Sequence, residues 1–307
     1  MIDLISFGIV IDDITLPDGS THLGILGGGG PQTVWGMAAA RGSGASVGLV
    51  AEVGADFDVR ALAPLDAARV NLDGVRRSTA LTPRAWQRID GDGGRIHEWQ
   101  SPPLKSITFG TSTHELLPPH YRAARHFHWG LHPENPALTE AHTLTAAGAT
   151  VSLETFKPPE QPLTDTQLRN LLSACTVFSP NWSEAAGMIG SGDYVAVLRS
   201  FRDAGCRVLA LRRGSAGAEV WDFRSGNGVR VPAVPTTVID TVGAGNAFCG
   251  ALLATLDHGI ETAAPHAVAA ASYLVEQYGL PERLPDPAEY NQRFDFARTR
   301  AERLALP

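Results

Sequence analysis

Cysteine is scarce in this chain. Three are present, Cys175, Cys206 and Cys249. An odd number at wide spacings argues against a disulfide framework and against a zinc site, and it suits a reducing cytosol. No basic stripe breaks a net charge of −7, so nothing points to nucleic acid. That modest negative balance still permits an anionic ligand, because local backbone dipoles can bind phosphate on an acidic protein. The start, Met1-Ile2-Asp3-Leu4-Ile5, lacks the basic residues and long apolar run of a signal peptide. No apolar run reaches the length of a membrane span. Internal repeats and low-complexity tracts are missing too. The expectation is a cytoplasmic protein with neither membrane nor nucleic acid as partner.

What is there is ordinary for a globular chain: 307 residues, 44% hydrophobic and 19% charged. α/β folds run this long as one unit, so residues 1–307 are read as a single domain. Ile2 to Val10 reads as a buried strand, Thr33 to Arg41 as an Ala-rich helix, and Ala45 to Val53 as the next strand. From residue 122 the same alternation returns. His126 to Leu131, Thr150 to Leu153, Thr176 to Ser179 and Val208 to Leu211 read as strands with helices between them. A hairpin follows around Arg224 to Asn227, then long helices near Ala247 to Leu256 and Pro265 to Tyr278. The fold class is therefore α/β, a mainly parallel open sheet flanked by helices. Residues 12–26 carry the turn Pro17-Asp18-Gly19. Ala85 to Asp90 and Arg95 to Gln100 are joined by Gly91-Asp92-Gly93-Gly94, a hairpin signal. Together, residues 12–26 and 79–101 predict a small separate β lid that closes over a substrate.

The most informative segment is Asp240-Thr241-Val242-Gly243-Ala244-Gly245-Asn246-Ala247-Phe248. It follows a Val/Thr/Ile run and opens a helix. Glycines there let a ligand approach the backbone closely, and N–H groups at a helix start attract negative charge. The bland alternative is a helix entry whose small residues allow tight packing. Asn181 and Glu184 lie just past a predicted strand, where ligand sites of open α/β sheets gather. Glu184 could hold a magnesium-bound water, or the pair could simply cap a helix. Of the adjacent Asp12 and Asp13, only one should face a given pocket. His126 and His128 share a strand face, but no carboxylate or cysteine near them in sequence completes a metal set, and His132 is read as lining the substrate pocket. Arg212 and Arg213 could reach phosphates through their forked donors, or form a surface pair.

The nine-residue string resembles the C-terminal motif Asp-Thr-x-Gly-Ala-Gly-Asp of the ribokinase-like, or PfkB, carbohydrate kinases. Gly27-Gly28-Gly29-Gly30-Pro31-Gln32 is similar to that family's Gly-Gly-x-Gly-x-Asn turn, with Gln32 for Asn. Asp13, five residues after Gly8, stands where the family has a sugar-binding Asp. Asn181 to Glu184 resembles the Asn-x-x-Glu motif that organises magnesium and phosphate. Arg213 to Ala218 resembles the Gly-x-x-Gly turn beside the nucleotide, with Gly214 and Gly217. His266 falls where the family often contacts adenine.

The resemblance implies a catalytic centre at Gly243, Ala244, Gly245 and Asn246. It implies nucleotide contacts from Asn181, Arg212, Gly214, Gly217, Asp240, Thr241 and His266. Substrate contacts would come from Asp13, Gly28, Gly29 and Gln32, and metal contact from Glu184. ATP and Mg2+ are the implied cofactors, with a monovalent cation such as K+, and a sugar or nucleoside hydroxymethyl group is the implied acceptor. Pairing of two lids would make a homodimer.

The C-terminal motif departs at its last position. Asn246 stands where the family's Asp takes the proton from the substrate, and an amide cannot accept a proton as a carboxylate does. A branch similar to fungal kinase-like proteins also carries Asn there. Two expectations follow: a slower kinase, in which Asn246→Asp raises turnover, or a catalytically silent protein that binds nucleotide or sugar and serves regulation or assembly.

Overall fold

A computed structural model describes residues 1–89, 95–101 and 117–306. The first apolar run does not form one strand. Gly8 takes φ +85°, a left-handed value that only glycine adopts without cost. It divides the run into β1 (Leu4–Phe7) and β2 (Val10–Thr15), which enter different sheets. Then come β3 (Thr21–Gly27), α1 (Gly29–Arg41), β4 (Val47–Val53), α2 (Ala63–Ala67) and β5 (Asn71–Arg77). β6 (Arg84–Ile89) and β7 (Arg95–Ser101) pair antiparallel. The turn expected at Gly91 to Gly94 lies outside the described residues. Next are β8 (His126–Leu131), α3 (Thr139–Ala146), β9 (Thr150–Thr155), α4 (Asp165–Ser173), β10 (Val177–Phe178), α5 (Trp182–Ile189) and α6 (Tyr194–Asp203). The chain closes with β11 (Val208–Arg212), β12 (Ala218–Asp222), β13 (Asn227–Val231), α7 (Ala244–Thr255), α8 (Ile260–Leu274), α9 (Pro287–Thr299) and β14 (Glu302–Ala305).

Among the described residues the strands form two sheets. The large one has the order β14-β13-β12-β11-β10-β9-β8-β1-β4-β5, parallel from β11 to β5 and antiparallel from β11 to β14. The small one has the order β3-β2-β6-β7. The central strands of the large sheet are buried along nearly their whole length, polar residues such as His128 and Ser152 included. Ile5, Phe127, Leu153, Leu209 and Leu211 pack with Leu171 and Phe201 of α4 and α6. Their neighbours Leu4 and Leu49 pack with Val34 and Trp35 of α1, and Val208 and Ala210 with Phe248 of α7. No helix among the described residues is long and apolar enough to cross a membrane.

Helix α8 begins at Ile260, not at Pro265 as expected, and carries the proline inside. Pro265 removes one hydrogen bond there. The turn before it holds Ile260, Ala263 and Ala264, all buried against α7, and that packing outweighs the loss.

Helices α1 and α7 lie unusually close. A Cβ on Gly36 would sit 2.2 Å from the Ala247 carbonyl oxygen, and one on Gly250 would sit 2.0 Å from that of Thr33. This contact holds the two glycine turns, 27–30 and 243–245, on one side of the sheet. Gly250→Ala should therefore force the helices apart and cost about 1–3 kcal/mol, the usual range for overpacking. Thermal unfolding should show a melting temperature several degrees lower; an unchanged melt would mean that the contact is soft.

Candidate active site

The parallel strands end where their connecting loops converge, the usual ligand edge of an open α/β sheet. β9 brings Glu154 there, the loop after β10 brings Ser179 and Asn181, and β11 brings Arg212. Two helix starts face them. Gly243 takes φ +85° before α7 and offers no side-chain cap. Of the first-turn N–H groups, Ala244 N–H donates to the Thr241 carbonyl at 3.4 Å, while those of Gly245 and Asn246 lack the capping oxygen that usually satisfies them. Gly28, at φ +80°, precedes α1 in the same uncapped way. The two turns touch: a Cβ on Gly29 would be 3.1 Å from Asn246 Nδ2, and one on Gly243 would be 2.5 Å from Gln32 Cγ. Gln32 is buried, and its Oε1 accepts no hydrogen bond among the described residues.

A buried charge knot underlies this cleft. Arg212 pairs with Glu154 Oε2 at 3.0 Å and with Glu184 Oε2 at 3.4 Å, and it donates to the Ser179 carbonyl at 2.8 Å. Its Nη1 lies where a Cβ on Gly245 would be only 1.9 Å away, so the guanidinium sits against the start of α7. Glu154 Oε1 accepts from Asn246 Nδ2 at 2.5 Å and meets His128 Nε2 at 3.3 Å, and Cys249 Sγ lies 3.7 Å from Oε2. Burial alone would raise the Glu154 carboxyl. The Arg212 charge, His128 and the Asn246 bond outweigh it and hold that carboxyl below the ordinary carboxylate range. Glu184 is raised by its burial, which Arg212 and the Asn181 backbone only partly offset. Burial, with help from the Glu154 charge, also raises the Cys249 thiol, so it stays protonated.

Three sequence expectations meet this geometry differently. Glu184 and Asn181 form a reciprocal capping box at the start of α5, and Glu184 accepts from Asn181 N–H and Asn181 Nδ2 at 2.8 Å each. Arg212 meets the same carboxylate at 3.4 Å, so both Glu184 oxygens already face protein donors. His128 does have a carboxylate and a cysteine beside it: its ring, Glu154 and Cys249 bring ligand atoms within 4.8 Å of one another. The sequence reading missed this because the three are far apart along the chain. Glu154's oxygens already hold Arg212 and Asn246, so the cluster is hydrogen-bonded, not a vacant metal cage. Arg213 parts company with Arg212. It pairs with buried Glu219 at 3.2 Å and lies over the rings of Trp182 and Tyr194.

The remaining residues are placed as follows. Asp13 accepts from Arg84 at 2.9 Å, Gln100 Nε2 at 2.9 Å and Gly24 N–H at 2.8 Å, all within the small sheet. The aspartate against the N-terminal glycine turn is instead Asp12, whose Oδ2 would be 1.8 Å from a Cβ on Gly27. Asp12 also accepts from Gln87 at 2.9 Å. Asp240 Oδ1 accepts from Val242 N–H at 3.0 Å, and the Thr241 carbonyl accepts from Ala244 N–H at 3.4 Å. Gly214 and Gly217 form the left-handed turn between β11 and β12, and a Cβ on Gly217 would strike the Val231 carbonyl at 2.0 Å. His266 is stacked on Phe294 at 4.1 Å, and its Nδ1 is 3.1 Å from the Tyr290 hydroxyl. Burial there lowers its pKa to about 4, so it is neutral. His132 pairs with Glu134 at 2.8 Å and meets the edge of half-exposed Phe156.

Arg212→Met should leave two buried carboxylates without their cation. Removing one partner of a buried ion pair costs about 3–5 kcal/mol, so the melting temperature should fall well below that of the parent. Because Glu154 is depressed, its stabilisation is full above the unfolded carboxylate value and is lost as pH falls below about 4. The variant should lack that share of the acid-induced loss. A melt and acid profile matching the parent would refute the knot.

The pfkB family carbohydrate kinase description matches residues 1–287. The chain is 30% identical over 266 residues to an ATP-dependent ribose-1-phosphate kinase of Halopiger xanaduensis, covering 83% of this chain and 85% of that protein. It is 27% identical over 260 residues to a cytidine kinase of Thermococcus kodakarensis, covering 84% and 90%. Its fold is like that of Arabidopsis thaliana ribokinase complexed with ribose and ATP, with a TM-score of 0.73 and 21% identity over 96% of this chain and 100% of that one. A ribokinase-like α/β fold, the glycine turn of α7 and this breadth of match lead to one conclusion: the chain belongs to the pfkB family of carbohydrate kinases.

Proposed function

We propose that this chain is an ATP-dependent phosphotransferase acting on a hydroxymethyl group of a sugar or nucleoside. The observation that carries the reading is the uncapped start of α7 at Gly243, with the Arg212 guanidinium against it and the second glycine turn facing it. Helix N–H groups and a fixed cation together suit the charge of a phosphoryl group in transfer. In this reading the Gly245 and Asn246 N–H groups hold the transferring phosphoryl, with the Ala244 N–H released from the Thr241 carbonyl to join them. Gly28, Gly29, Gln32 and one of Asp12 and Asp13 hold the acceptor. The small sheet excludes water. Magnesium enters as the complex with ATP, and a monovalent cation beside Asp240 belongs to the same proposal.

Transfer then asks mainly for positioning and electrostatics, which a chain with Asn246 can still supply. Support for a sugar or nucleoside acceptor comes from the relatives, one a ribose-1-phosphate kinase and one a cytidine kinase. Asn246 also favours a second reading, a catalytically silent nucleotide- or sugar-binding protein with a regulatory or assembly role. Leu23, Leu81 and Trp99, on and beside the small sheet, are exposed at 61%, 65% and 44%. They support a homodimer through that sheet, which sedimentation of the purified chain reads directly.

The decisive screen offers ATP with a panel of pentoses, pentose phosphates and nucleosides and reads product mass. The kinase reading expects one class to gain a phosphoryl group. Tight nucleotide binding by calorimetry with no product from any acceptor would select the silent reading.

A further inference from the structure

We propose that Asn246 and Glu154 form one divided acceptor: Asn246 Oδ1 faces the substrate hydroxyl, and the negative charge of the missing carboxylate sits one hydrogen bond behind it, on Glu154. This rests on the kinase reading above.

The orientation of the amide follows from chemistry. An ionised carboxylate only accepts hydrogen bonds. The Asn246 atom 2.5 Å from Glu154 Oε1 is therefore its NH2 group, and Oδ1 is the branch left over. That oxygen accepts from no described residue, and it is not among the buried unpartnered atoms. It is therefore open to solvent at the start of α7, while the NH2 end is the one that lies against Gly29, and it is the acceptor that residue 246 presents where the family pattern has an aspartate. Glu154 thus acts as a positioning residue. Swapping the ends of the amide would set a carbonyl against a carboxylate, and the low local dielectric makes that contact costly.

Glu154 is not free to serve as the base itself. It is 4% exposed, and each of its oxygens meets two partners: Asn246 and His128 on Oε1, Arg212 and Cys249 on Oε2. A proton could reach it only by displacing one of these. The balance of the step does not require that. The acceptor oxygen bonds to the γ-phosphorus, the bond from that phosphorus to the β,γ-bridging oxygen breaks, and ADP leaves. The hydroxyl proton passes to an oxygen of the transferred phosphoryl group and then to water. Asn246 Oδ1 holds the hydroxyl in line, and the Glu154 charge strengthens that oxygen as an acceptor through the polarised amide.

The arrangement reverses the simple expectation for Asn246→Asp. With Glu154 in place, the new carboxylate would stand within hydrogen-bond distance of another, and two such groups cannot both ionise. The substitution should slow the enzyme, not rescue it. Exchanging the two groups should restore the pair.

The test compares four proteins: the parent, Asn246→Asp, Glu154→Gln, and the exchange Asn246→Asp/Glu154→Gln. Each is assayed with ATP and the best acceptor from the screen, and each is melted. We expect both single variants to lose at least ~10-fold, in kcat more than in KM for ATP, within the range of a displaced acid–base group. The exchange should return to within a few-fold of the parent and gain an acidic limb in its pH profile, which a purely structural contact would not supply. Melting temperatures should fall in both singles and recover in the exchange. Asn246→Asp alone running ten-fold or more above the parent would overturn the proposal. So would an exchange no faster than the slower single. Recovery in melting with no phosphorylation by any of the four would instead overturn the kinase reading and reduce the pair to a structural contact.

Discussion

The Arg212 guanidinium, buried between Glu154 and Glu184, is the constraint from which the rest of the site follows. Charges taken out of water must be paired and hydrogen-bonded, or they cost several kcal/mol each. The chain meets that demand with donors from four places: β11 itself, the Asn181 cap, His128 on β8, and Asn246 on the first turn of α7. The same demand explains two small residues. Gly245 has no Cβ because the guanidinium fills that space. Cys249, one turn further along α7, puts a small neutral thiol against the carboxylate, where a larger side chain would break the knot.

This knot also sets the electrostatics of the cleft. A helix start attracts anions weakly by itself. A fixed guanidinium against that start adds a cation in place, its charge offset by Glu154 and Glu184. Glu154 and Glu184 keep the guanidinium in place, and Glu154 also reaches the first turn of α7 through Asn246. The carboxylate that the Asn-x-x-Glu resemblance assigns to magnesium is occupied by a cap and by Arg212.

Much of this was legible in the sequence where local rules dominate. The segment from Asp240 to Phe248 announced a turn and a helix start through its glycines. The strands β8, β9 and β11 stood out as short runs built around Phe127, Trp129, Val151, Leu153 and Val208 to Leu211, all of them buried. Other features were hidden for physical reasons. Gly8 breaks an otherwise continuous apolar run, and only its backbone angle reveals the division. β5 and β14 are the two edges of the large sheet, so half-exposed, polar sequences such as Asn71 to Arg77 and Glu302 to Ala305 suffice there. Pro265 looked like a helix start because its cost inside a helix is offset by packing visible only in three dimensions.

Glu154 was missed because it stands one residue beyond the apolar run Thr150 to Leu153. A carboxylate at the carboxyl end of a parallel strand is a usable signal. Its partners, at His128, Arg212, Asn246 and Cys249, come together only through the topology. The choice between Asp12 and Asp13 shows the same limit. Spacing favoured Asp13, whereas the residue against the glycine turn is Asp12.

The central claim is that a chain with Asn246 and this knot transfers a phosphoryl group. Phosphorus NMR of the unaltered protein with ATP, magnesium and cytidine or ribose-1-phosphate tests it most directly. The account predicts that ADP signals grow together with a new phosphomonoester signal, and only when an acceptor is present. ATP that binds yet stays intact with every acceptor, or is hydrolysed to free phosphate at the same rate without one, would contradict it.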